Sequence, residues 1–311
     1  MTEGLVLKST GKWYDVKITD GRIIQCQVRG KIRMEGRSTT NPVAAGDIVD
    51  VEEENQNEGN IIRIHPRKNY IIRKSVNLSK EAQIIAANLD QALLVVTTTR
   101  PQTTPGFIDR FLVTADAYDI PAVMIFHKMD QYDAEEKSAL EDMIEVYEHI
   151  GYKCLRTSLY DEHSMSGMRD ILTGKTSLIS GHSATGKSSI INYFIPDLDL
   201  KTGEVSDASN KGQHTTTFAE MHPLGDGGYI VDTPGIKGFG LVDIPKDELH
   251  HHFHEFFALL PECKFHNCLH LNEPGCAVLH ALEKGEVAAS RYNSYVSMYH
   301  DEEERSVYRN G

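Results

Sequence analysis

Eight consecutive residues constrain this chain more than any other feature. Gly181-His182-Ser183-Ala184-Thr185-Gly186-Lys187-Ser188 fit the pattern G-x-x-x-x-G-K-[ST]. The pattern means something only where a strand ends at the first glycine and a helix starts at the lysine. Both flanks comply, with an apolar run at 177–180 before it and a helical stretch at 188–194 after it. Glycines let backbone N–H groups curl around a β-phosphate, and the following helix points its positive end there. Lys187 then spans the β- and γ-phosphates, the Ser188 hydroxyl ligates Mg²⁺, and Ser189 follows in the same helical turn. The chain is expected to bind a nucleoside triphosphate.

At 311 residues the chain is too long for one small core, and about two domains with an appended module are expected. Residues 5–9, 13–18, 22–28, 47–52 and 60–65 read as short strands between Gly and Asp turns. They suit a small barrel of the oligonucleotide-binding (OB) type, with an SH3-like barrel as the alternative. From about residue 90 strands alternate with helical patterns, which predicts a parallel sheet with helices on both faces. Beyond Pro245 the pattern is helical. The expected parts are a barrel over 1–66, a basic linker over 67–89, an α/β domain over 90–244 and a helical module over 245–311.

Composition narrows the function classes. Apolar residues at 40% and charged residues at 25% exclude a disordered or fibrous chain. No window reaches the roughly 18 apolar residues of a membrane span, and the start has no signal core, so a cytoplasmic protein is expected. A net charge of −13 argues against a general nucleic-acid coat. Residues 67–80 nevertheless carry five bases and no acid, either a solvated linker or a phosphate-contacting seam.

Three further segments belong with the phosphate loop. Asp232-Thr233-Pro234-Gly235 ends an apolar strand, placing a carboxylate near the Mg²⁺ shell and the Gly235 N–H toward a γ-phosphate. The segment from Lys211 to Thr217 offers threonines, Thr216 among them, to complete the Mg²⁺ shell when the γ-phosphate is present. His127-Lys128-Met129-Asp130 ends another strand. A carboxylate there accepts from N1–H and the exocyclic amine of guanine, which adenine does not offer, and the lysine stem covers the base. Thr157-Ser158, ending a later strand, supplies Ser158 as a second base contact.

Cys263, Cys268 and Cys276 lie close in sequence with His270. Three thiolates and an imidazole suit a closed, structural tetrahedral Zn²⁺ site. His266 is an alternative fourth ligand, and a disulfide is the rival chemistry, disfavoured in a reducing compartment. Cys26 and Cys154 read as small core residues. The run His250-His251-His252 with His254 reads as a helix start and its surface.

The order of these segments resembles the circularly permuted GTPases, because the base-reading elements precede the phosphate loop. A barrel in front and a cysteine/histidine cluster behind are similar to the RsgA (YjeQ) family of small ribosomal subunit biogenesis GTPases. The resemblance spans essentially the whole chain. It implies an OB-like barrel, a circularly permuted P-loop GTPase domain and a zinc-binding helical module, with His270 as the fourth zinc ligand. It also implies a cytoplasmic GTPase, here expected as a monomer, stimulated by the small ribosomal subunit and its rRNA and acting late in that subunit's maturation. Two positions depart from ordinary GTPases. His127 stands where an asparagine is usual, and Ile236 where many carry a water-orienting glutamine, leaving His214 as the expected catalytic substitute. A P-loop ATPase or kinase, and an RNA-binding module with incidental hydrolysis, are the competing readings.

Overall fold

The structure is a computed structural model, and it describes residues 1–29, 42–74, 82–200, 219–232 and 244–307. His214, Thr216, Gly235 and Ile236 lie outside the described residues. Strands β1 (Thr2–Ser9), β2 (Tyr14–Ile18), β3 (Ile23–Val28), β4 (Ile48–Glu53) and β5 (Glu58–Ile64) form the barrel. Their order is β1-β2-β3-β5-β4, and β4 pairs back onto β1 to close it. The β3–β5 pair is parallel and the other pairs are antiparallel. This closure is the OB arrangement, so the SH3-like alternative falls away. Alternate residues Val6, Val16, Ile24, Val49, Val51 and Ile61 fill the interior.

Residues 67–89, expected as a basic linker, contain a hairpin of β6 (Tyr70–Lys74) and β7 (Ala82–Ala87). Ile71, Ala86 and Leu89 are buried in the core of the next domain. Arg67 grips the fully buried Asp47 of the barrel through two hydrogen bonds of 2.6 Å. Lys68 pairs with Asp90. Two of the segment's bases are thus neutralised within the protein.

The second domain extends the same sheet in the order β10-β9-β8-β11-β13-β12. These are β8 (Gln91–Val96), β9 (Ala122–Phe126), β10 (Lys153–Arg156), β11 (Thr176–Gly181), β12 (Glu220–Pro223) and β13 (Tyr229–Asp232). All pairs are parallel except β12 with β13, so the expected parallel sheet acquires one antiparallel strand at its end. That strand meets the barrel, where Lys8 of β1 pairs with Glu220 at 2.7 Å. Helices α1 (Pro105–Ala117) and α2 (Ala134–His149) cover one face. Helices α3 (Glu162–Leu172) and α4 (Lys187–Phe194) cover the other. Buried on both sides, β8 has no exposed residue, which is why it reads as continuous apolar sequence.

A 3₁₀ segment (Lys246–His252) leads into α5 (His254–Leu259), α6 (Ala277–Lys284) and α7 (Ala289–Val307). Leu249, Phe253, Phe256, Val278, Tyr295 and Met298 form their core. The helix-surface reading of the histidine run is corrected for His250, which is only 3% exposed and lies with its ring 5.0 Å from that of His270. His252 and His254 instead reach back to Asp116 of α1. Among the described residues, no helix is long and apolar enough to cross a membrane.

Candidate nucleotide site and cysteine cluster

The phosphate loop leaves the carboxyl end of β11, the strand flanked by β8 and β13. Gly181 has a φ of +146°, and a β-carbon there would lie 2.5 Å from the Val95 carbonyl oxygen. Only a glycine passes this close to β8. Thr185 is fully buried and donates its hydroxyl to the His182 carbonyl at 2.9 Å, folding the loop on itself. Lys187 donates to the Gly181 carbonyl at 2.7 Å and also to that of His182. Burial draws its pKa below the ordinary lysine value, while Asp232 pulls the other way. Ser183 and Ala184 are exposed at the loop's tip, and Ser188 and Ser189 are half-buried in the first turn of α4. Asp232, ending β13, is in register with Ile179 of β11, which places its strand end beside the loop.

Two of the expected base-reading residues, His127 and Lys128, reach the same loop. Lys128 has a φ of +63° and donates its ammonium to the Ala184 carbonyl at 2.8 Å and the Arg100 carbonyl at 3.1 Å. The Ser158 hydroxyl lies 2.5 Å from Oδ1 of Asp130, so the exposed carboxylate is aimed by a buried serine. Met129 donates its N–H to the Thr157 carbonyl at 3.2 Å, tying the ends of β9 and β10 together. His127 is 2% exposed. Its Nδ1 is 2.9 Å from the Thr157 hydroxyl, and the opposite edge of the ring lies against Gly186. Burial, with help from Lys128, lowers its pKa to about 4, so the ring is neutral at pH 7. His127 therefore joins the end of β9 to the 181–188 loop. Its contact crosses from one segment to another and carries no local signal in sequence.

The cysteine cluster closes as a unit. One ligand atom each from Cys263, Cys268, His270 and Cys276 lie within 4.8 Å of one another, and three of the four residues are buried. His270 offers Nδ1, which is 3.3 Å from the Cys276 sulfur and 3.7 Å from that of Cys263. Backbone N–H groups of Ala277 and Leu279 donate to the sulfurs of Cys263 and Cys276, both at 3.4 Å. His266 is exposed and outside the cluster, which decides between the two histidines. All five cysteines are free thiols. Burial pushes Cys26 up to about 11 and Cys154 up to about 12, as befits packing groups.

Comparison with known proteins agrees with this architecture. The family model described as RsgA GTPase matches residues 64–242, and that of the RsgA N-terminal domain matches residues 3–61. The small ribosomal subunit biogenesis GTPase RsgA of Christiangramia forsetii is 51% identical over 305 residues, covering 97% of each chain. Its counterpart in Phocaeicola vulgatus is 49% identical over 302 residues, with the same coverage. Among solved structures, YjeQ from Thermotoga maritima superposes with a TM-score of 0.78 at 33% identity, covering 96% of this chain and 98% of its own. YloQ, described as a circularly permuted GTPase, gives 0.75 at 30% identity, covering 98% of this chain and 96% of its own. With half of its residues shared with these relatives along nearly its whole length, the chain belongs to the RsgA family of small ribosomal subunit biogenesis GTPases, enzymes that hydrolyse GTP.

Proposed function

We propose that this chain is a cytoplasmic, monomeric GTPase whose slow hydrolysis is accelerated on the small ribosomal subunit late in that particle's maturation. The observation that carries the site assignment is the contact of Lys128 and His127 with the phosphate loop across more than fifty residues of sequence. It brings the strand end that we read as the guanine reader against the loop that we read as the phosphate cradle.

In this reading Asp130 accepts from guanine, with Ser158 holding the carboxylate and the Lys128 stem lying over the base. Backbone N–H groups of residues 182–187 surround the β-phosphate, and Lys187 turns from the loop carbonyls to the β- and γ-oxygens. Ser188 and Thr216 are the side chains that would hold Mg²⁺, with Asp232 behind them; the ion neutralises charge developing between the phosphates. Gly235 would donate to the γ-phosphate, and His214 would orient the attacking water.

Cys263, Cys268, His270 and Cys276 fit Zn²⁺, since three thiolates and an imidazole are a donor set that suits it, and these four residues would hold the ion as a cross-link of the C-terminal module. The functional divisions we propose are the barrel at 1–66, the connecting segment 67–89, the GTPase domain 90–244 and the zinc module 245–311. Barrel and zinc module supply the surfaces for rRNA or ribosomal protein.

The deciding experiment compares hydrolysis of GTP, ATP and xanthosine triphosphate with and without purified small subunits. Turnover should be specific to GTP and rise with subunits, and Asp130→Asn should transfer the preference to xanthosine triphosphate. Equal use of ATP, or an unchanged preference in the variant, would remove residues 127–130 as the base reader.

A further inference from the structure

Helix α1 touches the phosphate loop at one end and the cysteine-rich module along the rest of its length. In its first turn, the Phe107 ring stacks on His182 with centroids 3.9 Å apart and planes at 29°. His182 is the second residue of the phosphate loop. Burial, and then the charge of Lys187, lower its pKa, so a neutral imidazole lies on the phenyl face.

Further along α1, the fully buried Asp109 receives Nη1 of Arg291 from α7 at 2.7 Å and the Tyr147 hydroxyl from α2 at 2.9 Å. Arg291 is itself fully buried and makes two more bonds to Glu255 of α5, at 2.7 and 3.0 Å. In the last turn, Asp116 bonds His252 at 2.7 Å and His254 at 3.2 Å. A helix of 13 residues spans about 20 Å as a stiff rod. One such rod therefore carries two charge-assisted clamps to the module and one aromatic clamp to the phosphate loop.

We propose that Phe107 positions the phosphate loop through His182, and that α1 makes this loop answer to the placement of the cysteine-rich module. The inference rests on the assignment of residues 181–188 as the phosphate site. Phe107 acts through His182 and is a positioning residue, not a catalytic one. The coupling is reciprocal: a particle that shifts the module alters nucleotide affinity, and nucleotide alters the hold of the module.

The test uses the full chain, a fluorescent GTP analogue, and the ring-proton resonance of His182 in histidine-labelled protein, assigned by its loss in His182→Asn. Stacking of this kind predicts a loss of about 2- to 12-fold in nucleotide affinity for Phe107→Ala, together with loss of the ring-current shift on His182. Phe107→Tyr, which keeps the ring, should restore both. Asp116→Ala releases the far clamp nine residues away without touching the loop, and it should move the same resonance and weaken the same binding. Parent-like affinity in Phe107→Ala would overturn the positioning role. A His182 resonance that stays fixed in both Asp116→Ala and Cys268→Ser would overturn the coupling. Lys187→Ala separates the two levels. Unchanged binding there would sink the phosphate-site assignment, whereas its loss beside an unaffected Phe107→Ala would sink this inference alone.

Discussion

A β-carbon on Gly186 would lie 2.6 Å from Cδ2 of the His127 ring, and Gly186 holds a φ of +102°. Histidine and glycine are therefore fitted to each other, one filling the space that the other leaves. Gly186→Ala meets both a strained backbone and a collision with a ring that Thr157 holds from behind. It should lower stability by about 1–3 kcal/mol. It should also weaken GTP binding at least about tenfold by displacing the loop. Fluorescent-nucleotide titration checks this, and near-normal affinity would mean that the ring swings aside.

The same burial makes His127 a source of pH-dependent stability. Its pKa in the folded chain is lowered to about 4, against an ordinary value of 6.5. Between these values the unfolded chain takes up a proton that the folded chain refuses, so acid favours unfolding. The contribution is present above about pH 6.5 and lost as pH falls toward 4, on the order of 3 kcal/mol in all. Urea unfolding at stepped pH should show that slope, and His127→Asn should flatten it.

Zinc should be bound at one ion per chain. Burial pushes the Cys268 thiol up to about 12, so binding must expel a proton against that preference. Metal should accordingly be easier to strip as pH falls. Cys268→Ser should lower both metal content and melting temperature, measured by elemental analysis and calorimetry. Equal stability in a metal-free preparation would discard a structural role.

Arg291 is fully buried against Asp109, with Glu255 beside it. Removing the guanidinium strands two carboxylates away from water, so Arg291→Met should cost about 3–5 kcal/mol. Replacing all three charges together, as Arg291→Met with Asp109→Leu and Glu255→Leu, should recover much of that loss, because no charge is left unpaired. Denaturant midpoints of the two variants decide it. A triple variant less stable than the single would mean that the pair's bonds outweigh their desolvation.

The barrel strands and the phosphate loop were legible because their signals are local: alternation in the first case, glycine spacing before a helix in the second. The cysteine cluster was legible for the same reason, since four ligands of suitable chemistry fall within one short stretch. The contacts that join these parts were not. Arg67 reads as a surface base but is bound inside against Asp47. Ile71 and Ala86 form strands in a stretch whose lysines and arginines made it look like a linker. Strand β12 is four residues long and ends in proline, too little for a periodic signal. His250 is polar in sequence and buried in fact, and the stack of Phe107 on His182 joins two segments that share no motif.

Ile236 cannot orient water, so the isolated protein should turn over GTP slowly despite a full set of phosphate ligands. In the proposed reading His214 replaces that function once the small subunit is bound. His214→Ala should therefore bind GTP almost as the parent does but lose most of the subunit-stimulated rate. One orienting group is worth about 100-fold or more. The opposing mechanism supplies the catalytic group from the ribosomal particle and predicts near-parent stimulation in the same variant. Single-turnover hydrolysis with saturating subunits separates the two, once nucleotide binding and docking have been measured in the variant. Full stimulation under those conditions would leave His214 a passive residue and make the particle the catalyst.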